Sequence, residues 1–489
     1  MSIAPFRLVP NPVKIASRRD HRHGLHLLEP RRDWALGFIT GHRTRIVLSM
    51  SLITLALFAV QMYLWSNSVL PPLSDFWGMV ATYSSVLWIM AVPAAFLGLL
   101  GMLAYKYPKN LDDVPPIEQL VVFRICSKGD NIRMVRETIK RCIVEMEASP
   151  LFDYLVEVVI NDVEAVSSLQ HHPKVKILTI PNDYETPRGD TKYKARGLHY
   201  ALEASDIPDD AWLVHLDEET QPTSSGIKGI TKMIREEEAS GELRIGQGAI
   251  LYHRAWKKHP IMTLADNVRT GDDFARFYFQ HRLGRTVFGL HGSYIVVRND
   301  VEKLVGFDFG PDGSITEDAF WALELMERGH RARWVEGYLE EQSTEDVKDF
   351  LRQRARWYHG LMKVSLNAPV KFRWRASIFI NTILWSFAPL AGLYTIFHFF
   401  VGYGTPFWVA LLANMVYASF MTLYLTGLKA NMDEHKIKGV HRRTGWTLLQ
   451  LVLTPFFSFI ESAGVVLGMY EFVKSKITNK DGGFHVVKK

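Results

Sequence analysis

His215-Leu216-Asp217-Glu218-Glu219-Thr220 follows the apolar run Ala211-Trp212-Leu213-Val214, so a carboxylate cluster stands where a buried strand ends. Open α/β sheets place their ligands at that end. Asp217 and Glu219 are two residues apart. While strand geometry persists they project to the same side, where together they could hold a hard divalent cation, Mg²⁺ or Mn²⁺, able to neutralise a diphosphate. Thr316-Glu317-Asp318 opens a helix after the turn-rich Gly310-Pro311-Asp312-Gly313-Ser314. A carboxylate in such a first turn either complements the helix dipole or, within hydrogen-bond reach of a hydroxyl, serves as a general base, and Asp318 is the candidate for the second role. In Gln353-Arg354-Ala355-Arg356-Trp357, residues Gln353, Arg356 and Trp357 share one helix face. Arginine offers a forked, permanently charged donor for phosphate and tryptophan a flat apolar platform; a membrane-adjacent helix with snorkelling arginines and an interfacial tryptophan is the other reading of that spacing.

The elements that must position these groups alternate in pattern. Strands are expected at 119–126, 155–161, 174–181 and 211–216, with helices at 131–146 and 191–204 between them. This βαβ order implies a Rossmann-like, mainly parallel sheet with ligands across its carboxyl edge. Further strands are expected at 245–252, 286–298 and 333–336, an amphipathic helix at 262–281, and helices at 317–328 and 344–363. Arg235-Glu236-Glu237-Glu238 reads as a solvated helix face, and Asp272-Asp273 as a structural helix pair.

Apolar residues make up 48% of the 489 and are unevenly distributed. The stretches 46–74 and 76–105 carry no charge, and residues 46–65 would rise about 30 Å as a helix, enough to cross a bilayer. A third uncharged run, 376–428, is punctuated by Gly402-Tyr403-Gly404-Thr405-Pro406 and reads as two helices joined by a turn; a fifth apolar segment, 444–473, contains Pro455 and Glu461. The expected organisation is a basic arm (1–45), two transmembrane helices (46–105), an α/β domain (106–375), two more spans (376–428), a basic loop (429–443), a fifth spanning or re-entrant segment (444–473) broken near Pro455, and a basic tail (474–489). The net charge of +6 is concentrated beside the spans, at Arg43 and Arg45, at Lys371, Arg373 and Arg375, and at Lys436, Lys438, Arg442 and Arg443. By the positive-inside rule these segments and the α/β domain are cytosolic in an integral multi-pass membrane protein, and nucleic-acid binding is not needed to explain the charge. Cys126 and Cys142 then read as reduced, buried small hydrophobes.

The three motifs, in this order and context, resemble the inverting family 2 glycosyltransferases with a GT-A fold. Tyr193-Lys194-Ala195-Arg196, His215 to Thr220, Gly292-Ser293-Tyr294, Gly310 to Ser314 with Glu317-Asp318, and Asp349-Phe350-Leu351 with Gln353-Arg354 are similar to the egghead-type β-1,4-mannosyltransferases over 123–361. The resemblance implies transfer of mannose from GDP-mannose to a hydroxyl of a membrane glycolipid. It places Arg124, Lys128 and Asp162 at the nucleoside; Lys192, Lys194, Arg196, Asp217, Glu218 and Arg356 around the nucleotide sugar; and Asp217 with Glu219 at the metal, Glu219 standing where the family usually has aspartate. It places His291, Gly292, Ser293, Glu317, Gln353 and Trp357 at the acceptor, with Asp318 as base. A processive family 2 polysaccharide synthase using a UDP- or GDP-sugar, and an inactive membrane scaffold or transport protein, are the rival readings.

Overall fold

The first strand shows why a sheet forms and how it is covered. In β1 (Leu120–Ser127), Val121, Phe123 and Ile125 enter one core layer while Val122 enters the other, as the two-residue period of a strand dictates. Both faces are therefore buried, the condition for a parallel sheet flanked by helices. The computed structural model describes residues 41–66, 76, 90–108, 111–161, 166–167, 169, 172–254, 256–390 and 407–478. By contacts the chain falls into two units: residues 1–45, of which 41–45 are described and hold the start of the first helix, and residues 46–489, which hold the sheet and the candidate site.

Two apolar helices, α1 (His42–Ser66) and α2 (Val92–Ala104), precede β1. The domain then runs α3 (Ile132–Ala148), β2 (Asp153–Ile160), β3 (Val175–Thr179), α4 (Tyr193–Ala204), β4 (Trp212–Leu216), β5 (Gln221–Pro222), α5 (Ser224–Ser240) and β6 (Ile245–Leu251). It continues through α6 (Pro260–Asp272), β7 (Ile295–Arg298), α7 (Glu317–Glu327), β8 (Ala332–Glu340) and α8 (Val347–Asn367) to the apolar helices α9 (Phe372–Ser386), α10 (Phe407–Glu434) and α11 (Val440–Thr478). The sheet order is β3-β2-β1-β4-β7-β6-β8-β5. β3, β2, β1 and β4 are parallel neighbours and β6 pairs parallel with β8, while β7 and β5 run antiparallel to theirs. The expected mainly parallel α/β sheet thus forms, with antiparallel insertions that periodicity does not reveal.

Three local expectations change. The strand foreseen over 286–298 pairs only from Ile295; Gly289 at φ +84° and Tyr294 at φ +58° break extended geometry before it. The helix foreseen over 262–281 contains a π turn at Asp273–Phe277, where the Asp273 carboxylate accepts the Ile250 N–H at 2.9 Å. Glu237, foreseen on a solvated face, is buried between Arg244 and Arg333, which donate to it at 3.0 and 2.7 Å.

Among the described residues, His42–Tyr63, Trp408–Glu434 and Val440–Thr478 are long and apolar enough to cross a membrane, and Val92–Ala104 is a shorter apolar helix. The turn foreseen at Gly402 to Pro406 lies outside the described residues. α11 runs unbroken through Pro455 for 39 residues, about 58 Å, so the foreseen break does not occur. Its far half packs on α8: a Cβ at Gly464 would meet Arg354 Cβ at 2.8 Å, and one at Gly468 the Ala355 carbonyl at 2.7 Å. Elsewhere the domain and the apolar helices share buried amides. Asn431 Oδ1 accepts the Tyr252 N–H and Asn431 Nδ2 donates to Asn267 Oδ1, each at 2.8 Å, and Asn267 Nδ2 donates to Gln450 at 2.8 Å.

Candidate active site

The wholly buried β4 delivers its acidic end to the sheet's carboxyl edge. There the Thr220 N–H closes a turn on the Asp217 carbonyl at 3.0 Å. Lys194, in the first turn of α4, reaches across: its Nζ donates to Asp217 Oδ1 at 2.5 Å and to the Gly292 carbonyl at 2.7 Å, and lies 3.8 Å from Glu317 Oε1. Tyr193, just before it, holds a left-handed φ of +56°, an uncommon conformation for a non-glycine residue that aims the next side chain. Burial works against the Lys194 charge, but Asp217 and Glu317 outweigh it and hold the ammonium above its usual range.

Gly292 explains how these groups come together. A Cβ there would sit 3.1 Å from Lys194 Nζ, 3.5 Å from Asp318 Oδ2 and 3.6 Å from Asp217 Oδ1. Glycine leaves that space to whatever lies between the two carboxylates. Asp318, in the first turn of α7, accepts its neighbour's Ala319 N–H at 2.7 Å. Burial and the adjacent Glu317 push its carboxyl up to about 8.

Asp217 and Glu219 are joined by a third carboxylate, Glu341, which follows β8; ligand oxygens of the three lie within 4.8 Å of one another. Glu341 Oε1 accepts from Thr220 and Ser293 hydroxyls at 2.7 Å each, which fixes its rotamer. An all-oxygen set of three carboxylates suits a hard divalent cation such as Mg²⁺ or Mn²⁺, whose charge would relieve their mutual repulsion. Sequence reasoning passed over Glu341 because the strand foreseen at 333–336 stops short of the end of β8 at Glu340.

α8 brings the remaining parts. Arg356 faces Glu317, Asp217, Glu219 and Asp318; burial lowers its pKa below the usual range and the four carboxylates offset that only in part. Two guanidiniums lie over the Trp357 ring, Arg354 at 4.4 Å and Arg269 at 4.8 Å from its centroid, and hold the indole at the cavity wall. Gln353 is buried and accepts from Arg354 at 2.9 Å. His291 packs edge-on against Phe277, with Nδ1 3.3 Å from Asp273; burial lowers its pKa to about 4, so the ring is neutral at physiological pH.

Not every foreseen residue arrives. Lys128, Lys194, Arg196, Asp217, Glu218, Glu219, His291, Gly292, Ser293, Glu317, Asp318, Gln353, Arg356 and Trp357 all line one cavity. Within it, Arg196 is committed to carbonyls, donating to Tyr184 at 2.9 Å and Pro181 at 2.8 Å, and Glu218 accepts from Ser127 at 2.6 Å. Arg124 does not line it. Strand alternation turns its side chain, with Val122, into the core layer, where it pairs with Glu157 and Glu302 at 2.7 Å each and is wholly buried. Lys192 is also absent from the cavity: it precedes the first turn of α4, exposed, with its backbone N–H on Ser314. Asp162 lies outside the described residues. Cys126 and Cys142 are free thiols, Cys126 pushed up to about 12 by burial.

A sheet whose carboxyl edge gathers a first-turn aspartate, three close carboxylates and an arginine beside a tryptophan has the groups that group transfer needs, and the comparisons with known proteins say which kind. Residues 212–426 match the family described as glycosyl transferase family group 2. Over 393 residues the chain is 30% identical to β-1,4-mannosyltransferase bre-3 of Caenorhabditis briggsae, and equally to that of Caenorhabditis elegans, spanning 78% of this chain and 84% of each relative. It is 28% identical over 409 residues to β-1,4-mannosyltransferase egh of Drosophila melanogaster, spanning 82% of this chain and 86% of that one. Among solved structures, the mannosyltransferase PcManGT from Pyrobaculum calidifontis, in complex with GDP-Man and Mn²⁺, covers 86% of this chain and 99% of its own at 11% identity, with a TM-score of 0.45. The chain belongs to glycosyltransferase family 2, in the branch of these worm and fly relatives, and is a glycosyltransferase.

Proposed function

We propose that this enzyme transfers mannose from GDP-mannose, with inversion, to a hydroxyl of a membrane glycolipid, forming a β-1,4 linkage. The observation that carries the reading is the convergence at Gly292 on the cavity wall, where a candidate base, Asp318, and the first carboxylate of the metal corner, Asp217, come within 4 Å of one point. Mannose follows the names of the relatives; the chemistry comes from the groups around that point.

In this scheme Asp318 takes the proton of the acceptor hydroxyl, Arg356 neutralises the departing diphosphate, and Trp357 supports the acceptor ring. Asp217, Glu219 and Glu341 would hold a divalent cation. Bound there, it would supply Lewis-acid stabilisation of the leaving diphosphate. Lys194 keeps Asp217 and the Gly292 carbonyl in register, and neutral His291 shapes the acceptor side without adding charge. A single in-line displacement by the hydroxyl turns an α-linked donor into a β-linked product. The apolar helices and their basic flanks favour a cytosolic catalytic face on a membrane.

The test is to incubate the purified full chain with a panel of sugar nucleotides and Mn²⁺ or Mg²⁺, measuring diphosphate release and product mass. GDP-mannose consumption with addition of one hexose is expected. A ladder of oligomers, or preference for a UDP-sugar, would overturn the reading.

A further inference from the structure

The cavity does not end at the catalytic carboxylates. Its volume is about 1880 Å³. Pockets that enclose a drug-sized ligand hold about 300–1,000 Å³, so a nucleotide sugar leaves a large part unfilled. Beyond Trp357 the wall passes to the apolar helices. α2 contributes Ala94, Ala95 and Gly98, on the face that Ala91 at its N-cap continues; Phe420 of α10 and Phe459 of α11 complete the wall used here. Small side chains on α2 make the room, and a Cβ added at Gly98 would meet nothing within 4 Å, although Gly98 itself is buried.

A polar girdle joins this chamber to the catalytic site. Arg276 donates to Asp272 at 2.7 Å and to Asn381 of α9 at 2.6 Å. Arg354, whose guanidinium lies over Trp357, donates to Asp266 at 3.1 Å and sits 3.8 Å from Glu461 of α11. All but Asp266 of these residues line the cavity. Arg354 is 1% exposed, and its Nε faces Glu461 Oε1 at 3.8 Å, an ion pair too long for a hydrogen bond, so that donor makes no hydrogen bond among the described residues. A buried donor without a hydrogen bond costs free energy, and on a cavity wall it leaves a place for a polar group that arrives with a ligand.

We propose that this chamber is the seat of the acceptor's hydrocarbon chain: the lipid's apolar part lies between α2, α10 and α11, its polar linkage passes the Arg276–Arg354 girdle, and its sugar reaches Trp357 and Asp318. The occupant is a lipid chain because the chamber is apolar, is walled by helices with the length or composition of membrane segments, and opens into the same space as the base. The assignment rests on the lipid-acceptor reading above and adds where the chain is held.

The probes are methyl, butyl, octyl and dodecyl β-glycosides of glucose, mannose and N-acetylglucosamine, offered to the full chain in lipid nanodiscs. With the wild type, kcat/KM rises with chain length, by about fourfold per methylene once the chain enters the chamber. Partition into the bilayer also raises that slope, so the decisive readout is Gly98→Trp, which puts an indole into the chamber at the α2 wall. It lowers the octyl-to-methyl ratio of kcat/KM at least tenfold relative to wild type measured in the same nanodiscs. Gly98→Leu gives a smaller drop and guards against misfolding of the bulkier variant. Transfer that proceeds with an unchanged ratio in a folded variant overturns the chamber. Failure of every glycoside with every sugar nucleotide overturns the functional reading instead.

Discussion

His215 and Asp217 are two residues apart on one strand end and belong to opposite kinds of charge cluster. His215 joins Arg124, Glu157 and Glu302 in a sealed group: Glu302 bridges His215 at 2.5 Å and Arg124 at 2.7 Å, and every member is buried. Burial pushes the Glu302 pKa up, but His215 and Arg124 outweigh it and hold the carboxylate below its usual range. Asp217 joins an acid-rich group beside the cavity, where Arg356 faces Glu219, Glu317 and Asp318, Lys194 faces Glu317, and Arg269 lies 3.8 Å from Glu341. There Asp318 stands far above its ordinary pKa. Charges that satisfy one another are architecture, and carboxylates held in excess at a cavity wall are prepared for something that brings positive charge or a proton.

The contrast is broken most sharply at Asp318. Asp318→Asn is expected to lower kcat by about 10²–10⁴-fold while leaving the thermal unfolding midpoint close to wild type, measured by donor turnover alongside a melting curve. Undiminished turnover would remove Asp318 as base. Arg124→Met should do the reverse: it strands two buried glutamates and costs about 3–5 kcal/mol of stability, read by denaturant unfolding, with the donor KM of the folded fraction unchanged. A large KM effect would return Arg124 to the donor site. Glu341→Gln should raise the divalent-cation concentration for half-maximal activity by about 10–100-fold, and a titration unaffected by it would exclude Glu341 from the metal corner. Per unit of pH the effect is smaller still. Asp318 must be ionised to accept a proton, and its pKa is raised, so kcat/KM should climb with pH toward a plateau above about 8 and fall about tenfold per unit below it. A profile flat from pH 6 to 9 would contradict that assignment.

The sealed cluster was the part least legible in the sequence. Within an apolar strand a lone arginine can face the ligand edge or the core, and the choice depends on Glu302, 178 residues away, coming to meet it. Strand periodicity gives the face only after the covering helices are known. The open cluster was more legible because each piece is local: acids at the end of β4, a first-turn aspartate in α7, an arginine and a tryptophan on α8. Glu341 escaped for a topological reason. It acquires meaning because β8 pairs with β5, a two-residue strand just after the acidic turn, and so small a pairing leaves no periodic trace. Lys192 was misplaced by two residues' worth of helix phase, since Lys194 occupies the turn that enters the site and Lys192 only precedes it. The apolar segments were visible as runs, but their docking was not, because Asn267, Asn431 and Gln450 look like ordinary polar residues until their amides meet.

Those shared amides bear on modularity. Tyr252, Asn267 and their partners on α10 and α11 close hydrogen bonds that neither the α/β domain nor the apolar helices can close alone. Cutting the chain before α10 would leave an orphaned N–H and a bare carboxamide on what had been an interior surface. The catalytic part is therefore not a detachable head on a stalk, and a soluble version would need that seam rewritten rather than merely trimmed.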